Sequence, residues 1–294
     1  MKLGRLVAAV LAAALSACGP APQSTLQPEL VLPSQKSQPL IWAADVYDTY
    51  AYTLTGQVEV ELKGFFDAVA VCTDRLGDLF VVDDSRQVIF KYTPGSFLPI
   101  DVFDDQGAEA SSCAIDPTTE NLAVANSSNV VIYPPGNSGT PITYTNPTIA
   151  TYACLAYDTA GNLFVDGYGK DTGFQLAELK KSGDSLKTTR IPALNNRKHG
   201  AGGIAWDGQY LAVADPLNKT LYRIKLSDGS GTVAHASVIR GWRTNDPVQF
   251  ALWGHKLLFP LDKKLLIFPY PPTGRSKTGF DGRLNHVIAI EASS

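Results

Sequence analysis

The chain is poor in the residues that most often announce chemistry. Its 294 residues include four histidines, four cysteines and one methionine. His199, His235, His255 and His286 are scattered and form no HxH or HxxxH pair, so their spacing points to no metal. There is no HExxH, no nucleophile elbow and no Walker loop, and "GAGG" at 200–203 lacks the βαβ unit that a dinucleotide fingerprint needs. The formal charge is −3 and no long Lys/Arg run occurs, which argues against nucleic acid as a partner. After the first residues, no stretch is apolar enough to cross a membrane as a helix. Yet 45% of the residues are apolar, enough for a full core, and 25 Gly with 19 Pro imply many turns. A single core rarely grows past about 250 residues without splitting. The chain is therefore two domains, or one domain of repeated small units.

The N-terminus reads as an address. "MKLGRLVAAVLAAALSAC" has Lys2 and Arg5, then an apolar run too short to span a bilayer, then small residues. Leu15 to Cys18 resembles a bacterial lipobox. That resemblance implies a signal peptide over 1–17, cleavage before Cys18 and lipidation of Cys18. The alternative is an ordinary secretory signal with Cys18 incidental. Residues 18–39 are rich in Pro, Ser and Gln and read as a tether. The expected location is extracytoplasmic, lipid-anchored to a bacterial membrane, and the outer membrane if the host has two, since Gly19 is not the inner-membrane-retaining Asp.

Residues 40–294 repeat. "AVCTDRLGDLFVVDD" (70–84), "SCAIDPTTENLAVAN" (112–126), "LAYDTAGNLFVDG" (155–167) and "GIAWDGQYLAVAD" (203–215) each hold a short apolar strand, an Asp, a polar turn and a second apolar strand. "QFALWGHKLLFPLD" (249–262) is a worn copy without the Asp. A third strand follows each ("QVIFKY", "NVVIYP", "FQLAEL", "TLYRIKL", "KLLIFPY"), then a ragged fourth. The period of about 41 to 48 residues is that of four-stranded propeller blades. The front holds three strands without a first ("LIWAAD", "TYAYTL", "VEVEL"), and the back holds a spare, "HVIAIEA" (286–292). The expected fold is all-β: a six-bladed β-propeller of four-stranded blades, closed by the C-terminal strand pairing into the first blade.

"LAVADPLNKTLYRIKL" and "LFVVDDSRQVIFKY" resemble repeats of the NHL, YncE-like and SMP-30-like six-bladed propellers. The resemblance covers nearly all of 40–294. It implies fold rather than function, because that fold hosts enzymes and passive binders alike. WD40 repeats fit poorly, since Trp206-Asp207 falls in a first-to-second strand turn.

In such a ring the first strands line a central channel, and the four-to-one and two-to-three connections gather at one mouth. Asp45, Asp83, Asp84, Asn126, Asp215 and Asp262 fall on the two-to-three turns. Of these, Asp83, Asp84, Asn126 and Asp215 are metal candidates, because Ca²⁺ or another divalent ion takes six to eight oxygens. The preferred reading is that they are Asx-turn residues, so no cofactor is assigned. The four-to-one loops bring Arg197, Lys198 and His199, then Trp242, Arg243, Asn245 and Asp246, and lastly Arg283 and His286, to one side of the mouth. "FDDQGAE" puts acids on the other. Trp242 is expected as a stacking platform and the cations as a site for a polar or anionic ligand.

Cys72, Cys113 and Cys154 recur every 41 residues, two, three and four positions before the repeat Asp. Alternation turns Cys113 away from the other two. Three thiols on one metal are thereby disfavoured, and buried small hydrophobes are preferred to a bridge between blades. The function expected is a non-catalytic binding or protein-interaction module of a monomeric cell-surface lipoprotein. The alternative is a divalent-metal-dependent lactonase- or lyase-type enzyme at the same mouth. A third reading is a subunit docked within an envelope complex.

Overall fold

The computed structural model describes residues 40–107, 109–243, 245, 248–261, 263–273, 278–281 and 287–292. The leader, Cys18 and the tether lie outside them, as do Asp246, Asp262, Arg283 and His286.

Twenty-four described strands form six antiparallel sheets of four. Blade 1 contains β1 (Ile41–Asp45), β2 (Asp48–Tyr52) and β3 (Val58–Lys63). Blade 2 contains β4 (Ala68–Thr73), β5 (Leu79–Asp83), β6 (Val88–Tyr92) and β7 (Asp101–Asp104). Blade 3 contains β8 (Ala110–Ile115), β9 (Leu122–Asn126), β10 (Asn129–Tyr133) and β11 (Ile142–Tyr144). Blade 4 contains β12 (Thr151–Tyr157), β13 (Leu163–Gly169), β14 (Gly173–Leu179) and β15 (Lys187–Thr189). Blade 5 contains β16 (Ile204–Trp206), β17 (Leu211–Asp215), β18 (Thr220–Ser227) and β19 (Ser230–Val238). Blade 6 contains β20 (Ala251–Trp253), β21 (Lys256–Leu261), β22 (Lys264–Pro269) and β23 (Thr278–Asp281). The last strand, β24 (Val287–Ala292), pairs with β1 and becomes the innermost strand of blade 1. Its register sets Ile41 opposite Ala292 and Ala43 opposite Ile290. The ring is closed by the two ends of the chain, as the spare strand and the missing strand require.

Second strands are the most deeply covered. β1, β5, β9 and β17 are buried at every position. Each is hydrogen-bonded on both edges and faces a neighbouring blade on both sides, so it reads as a continuous apolar run rather than an alternating one. Near the axis the blades converge, and small residues fit there, as in "LAVAN" and "LAVAD".

The buried apolar residues fall into six clusters, each straddling one junction between blades. Phe80, Ile89 and Phe103 of blade 2 meet Leu122, Val124 and Tyr133 of blade 3. Ile41 and Tyr52 of blade 1 meet Leu258 and Ile267 of blade 6. A buried Phe or Ile contributes about 1.5–3 kcal/mol, and no blade could bury these faces alone.

The repeat aspartates tie the first-to-second turns. Asp74 Oδ1 accepts from the amides of Leu76 and Asp78, both at 2.9 Å. Asp158 Oδ1 accepts from Ala160 and Asn162, and Asp207 Oδ1 from Gln209 and Tyr210. Blade 6 lacks this Asp because its turn is shorter. Trp253 pairs directly with Lys256, leaving a two-residue hairpin with Gly254 at φ +54°, which needs no side-chain clasp.

Cys72 and Cys113 are joined by a disulfide, and Cys154 is free and buried. This corrects the preference for three buried thiols. The alternation was sound, but its consequence differs in a ring. Neighbouring blades meet through opposite faces, so residues of opposite parity in β4 and β8 point at each other across the junction. Cys154 faces blade 5 instead, among Phe164, Ile204 and Val213.

Candidate functional site

The mouth formed by the four-to-one and two-to-three connections is held from below by carboxylates. Asp83, at the end of β5, accepts from the amides of Phe66 (3.0 Å) and Asp67 (3.1 Å) in the loop entering blade 2, and from Arg86 Nη1 at 3.2 Å. Asp84 Oδ1 accepts from Ala110 N at 2.7 Å, tying blade 2 to blade 3. Asp166 in β13 is fully buried and accepts from Cys154 N (2.8 Å) and Gly202 N (3.1 Å). β12 is bulged between Tyr152 and Leu155, and the Asp166 carboxyl satisfies the amide the bulge leaves unpaired. Burial pushes this carboxyl well above the usual range, with the amide bonds opposing. Asp166 was not singled out in the sequence, where it looks like one more residue of an apolar strand.

Asp215 is the most heavily used. Oδ1 accepts from the amides of Gly200 (3.0 Å), Leu217 (3.0 Å) and Asn218 (3.2 Å). Oδ2 meets His199 Nδ1 at 2.7 Å and Asn218 Nδ2 at 2.7 Å. His199 also rests edge-on against Tyr222, 5.9 Å between ring centres. These bonds make Asp83 and Asp215 clamps on loops as well as turn residues, and each charge-assisted bond is worth about 1.5–3 kcal/mol. Asn126 is buried, with Nδ2 on Asn129 Oδ1 at 3.2 Å. Among the described residues no three His, Cys, Asp or Glu side chains are grouped to hold a metal ion.

On this clamped base, the cations point out. Arg197 is exposed; its guanidinium reaches the carbonyl of Asp171 at 2.5 Å and Asp171 Oδ1 at 3.1 Å. Lys198 is exposed beside it on the same loop, and Arg243 is exposed on the loop after blade 5. Asn245 Oδ1 accepts from Lys219 Nζ at 2.6 Å, linking the loop after blade 5 to the β17–β18 turn. Across the mouth, Asp104 and Glu109 are exposed on blades 2 and 3, while the exposed Asp171 carboxylate lies beside Arg197 on the basic side. Asp105, by contrast, is buried against Tyr133 Oη at 2.9 Å.

Trp242 is a correction. It is 4% exposed and packs edge-on to Phe259, 4.9 Å between centres, at the junction of blades 5 and 6. A ring used this way cannot act as a stacking platform. A single sequence gives no sign of whether a loop Trp points inward. His235 lies exposed on the outer strand β19, and His255 lies in the β20–β21 hairpin, both away from this mouth.

No known family's sequence profile matches the chain, and no curated protein matches it. Solved structures do. A chain of a crystallised nidogen/laminin complex superposes with a TM-score of 0.71 at 11% identity, covering 87% of this chain and 98% of that one. A protein of unknown function from Bacteroides caccae gives 0.63 at 11% identity, covering 87% and 99%. Kuenenia stuttgartiensis hydrazine synthase gives 0.59 at 13%, covering 76% and 70%. At such identities the likeness concerns the fold. The chain is a six-bladed β-propeller. The propeller's ring, not any shared residue, is what these proteins have in common with it.

Proposed function

We propose that this propeller is a non-catalytic binding module, holding an acidic protein partner or other anionic group at the mouth built by its four-to-one loops. The carrying observation is the exposure of Arg197, Lys198 and Arg243 on one side of that mouth, above carboxylates that are buried and bonded to backbone amides. The clamping carboxylates are spent on amides, so of the three cations Arg197 is the one that, among the described residues, also meets a carboxylate at the surface, Asp171. The nidogen/laminin structure is that of a protein complex, which favours a protein partner. The lipobox-like Leu15–Cys18 and the tether that follows favour an extracytoplasmic, lipid-anchored setting.

The test uses an acidic decapeptide of glutamates as probe, titrated at low salt. The triple variant R197A/K198A/R243A is expected to bind roughly tenfold more weakly and with a shallower salt dependence. Equal affinity in wild type and variant would remove this mouth as the site.

A further inference from the structure

The opposite mouth carries a different kind of site. Where the first strands run into the first-to-second turns, they line an open cavity of about 260 Å³. Its walls include Ile115, Leu155, Ile204, Phe250 and Leu252. The lining is mixed rather than apolar, since it also holds Thr73, Tyr157 and Trp206, whose buried Nε1 has no partner among the described residues, and two hydrogen-bond acceptors stand in it.

One is Gln249, which is 8% exposed. Its Nε2 donates to the Val71 carbonyl at 2.7 Å, across to blade 2. That bond fixes which way the amide points, so the oxygen is the group left over. Oε1 is buried with no donor among the described residues. Such an orphan is costly unless something in the cavity donates to it. The other acceptor is Glu291 on β24. Its carboxyl accepts from the Ala292 amide, and no cation among the described residues pairs with it.

The two acceptors share a wall. Gln249 bridges to Ala289, and Glu291 lies two residues further along β24, on the same face of the strand. Apolar side chains beside two acceptors, with no facing cation among the described residues, suit a ligand with an apolar body and a positively charged donor head. We propose that this cavity binds a small organic ammonium, its head against Glu291 and Gln249 Oε1 and its body against Ile204 and Phe250. The site is separate from the loop mouth and does not depend on the function proposed there.

Two further features are consistent with it. Burial raises the Glu291 carboxyl to about 7, so near neutrality a bound cation would draw it into the charged form. The remaining titratable side chain on the cavity wall is Tyr157, which burial pushes upward, while Cys72 and Cys113 are locked in the disulfide. Glu291 is thus the wall group whose charge changes near neutral pH.

The test is calorimetric titration of the full chain with benzylammonium at pH 8, beside neutral benzyl alcohol. Wild type is expected to bind benzylammonium saturably, and more tightly at pH 8 than at pH 6. Glu291→Gln, which keeps the shape, should weaken it about tenfold or more and flatten the pH dependence, with benzyl alcohol unaffected. Gln249→Met, which removes the second acceptor, should weaken benzylammonium several-fold and tests the site separately should the first variant fold poorly. No saturable binding by wild type would overturn the proposal. So would equal affinity in wild type and either well-folded variant, an equal loss for benzyl alcohol, or uptake of Ca²⁺ in place of the amine.

Discussion

Side-chain carboxyls do three jobs in this protein, and the neighbours decide which. Asp74, Asp158 and Asp207 fold back on their own turns. Asp83, Asp166 and Asp215 reach into the loop that enters a blade and hold its amides. A third kind of acid, Glu291, stands in a channel wall with no cation paired to it among the described residues. That last position has a pH signature. Burial raises its folded pKa from 4.5 to about 7, so the folded state holds a proton that the unfolded state releases. Stability from this group is fullest below about pH 4.5 and is lost as pH rises towards 7. By denaturant melts, wild type should lose about 2–3 kcal/mol relative to Glu291→Gln between pH 4 and pH 8. Parallel profiles for the two proteins would show that the carboxyl is hydrated after all. The turn aspartates were legible in the sequence because their bonds are local. Glu291 and Asp166 were not, since an acid in "HVIAIEA" or "LFVDG" looks alike whether it meets water or the channel.

Strands were legible because alternation, short apolar runs and turn residues are properties of neighbouring residues. Which strand faces bear on each other was harder to read. The three cysteines show this: their parity was readable, but the meeting of opposite faces across a junction belongs to the blades' arrangement. The Cys72–Cys113 bond spans 41 residues and staples the innermost strands of blades 2 and 3. Replacing both cysteines by alanine should lower stability by about 2–4 kcal/mol, measured by denaturant melts. In native protein the Cys154 thiol should resist alkylation until unfolding, since burial raises its pKa well above the ordinary thiol value. No change on double replacement, or on adding reductant to wild type, would mean that the bond is absent or carries no weight. Trp242 makes the same point for a loop. Its polar neighbours in sequence suggest a surface, while Phe259, from the next blade, buries it.

At the scale of the molecule, closure is the feature on which the rest stands. β24 supplies the first strand of blade 1 and also lines the channel between blades 6 and 2. Removing residues 286–294 should therefore do more than fray one edge. It would uncover Trp42, Ala44 and Ile41 at the blade 1 junctions and open the ring. The expected outcome is loss of the cooperative thermal transition followed by circular dichroism. A truncated chain that melts like the full one would show that the ring does not need its closing strand. The likeness to propellers at 11% identity fits this picture, because the architecture asks for a pattern of strands and small inner residues rather than particular side chains.

The order of amino acids by itself determined the blades, their number and the strand that closes them, since those follow from periodicity and from counting what each end lacks. Only the tertiary structure decided which side chains lose their water. Trp242 went into the core, Cys72 found Cys113, and Glu291 came to face a cavity, because burial is set by segments tens or hundreds of residues apart that the ring brings together.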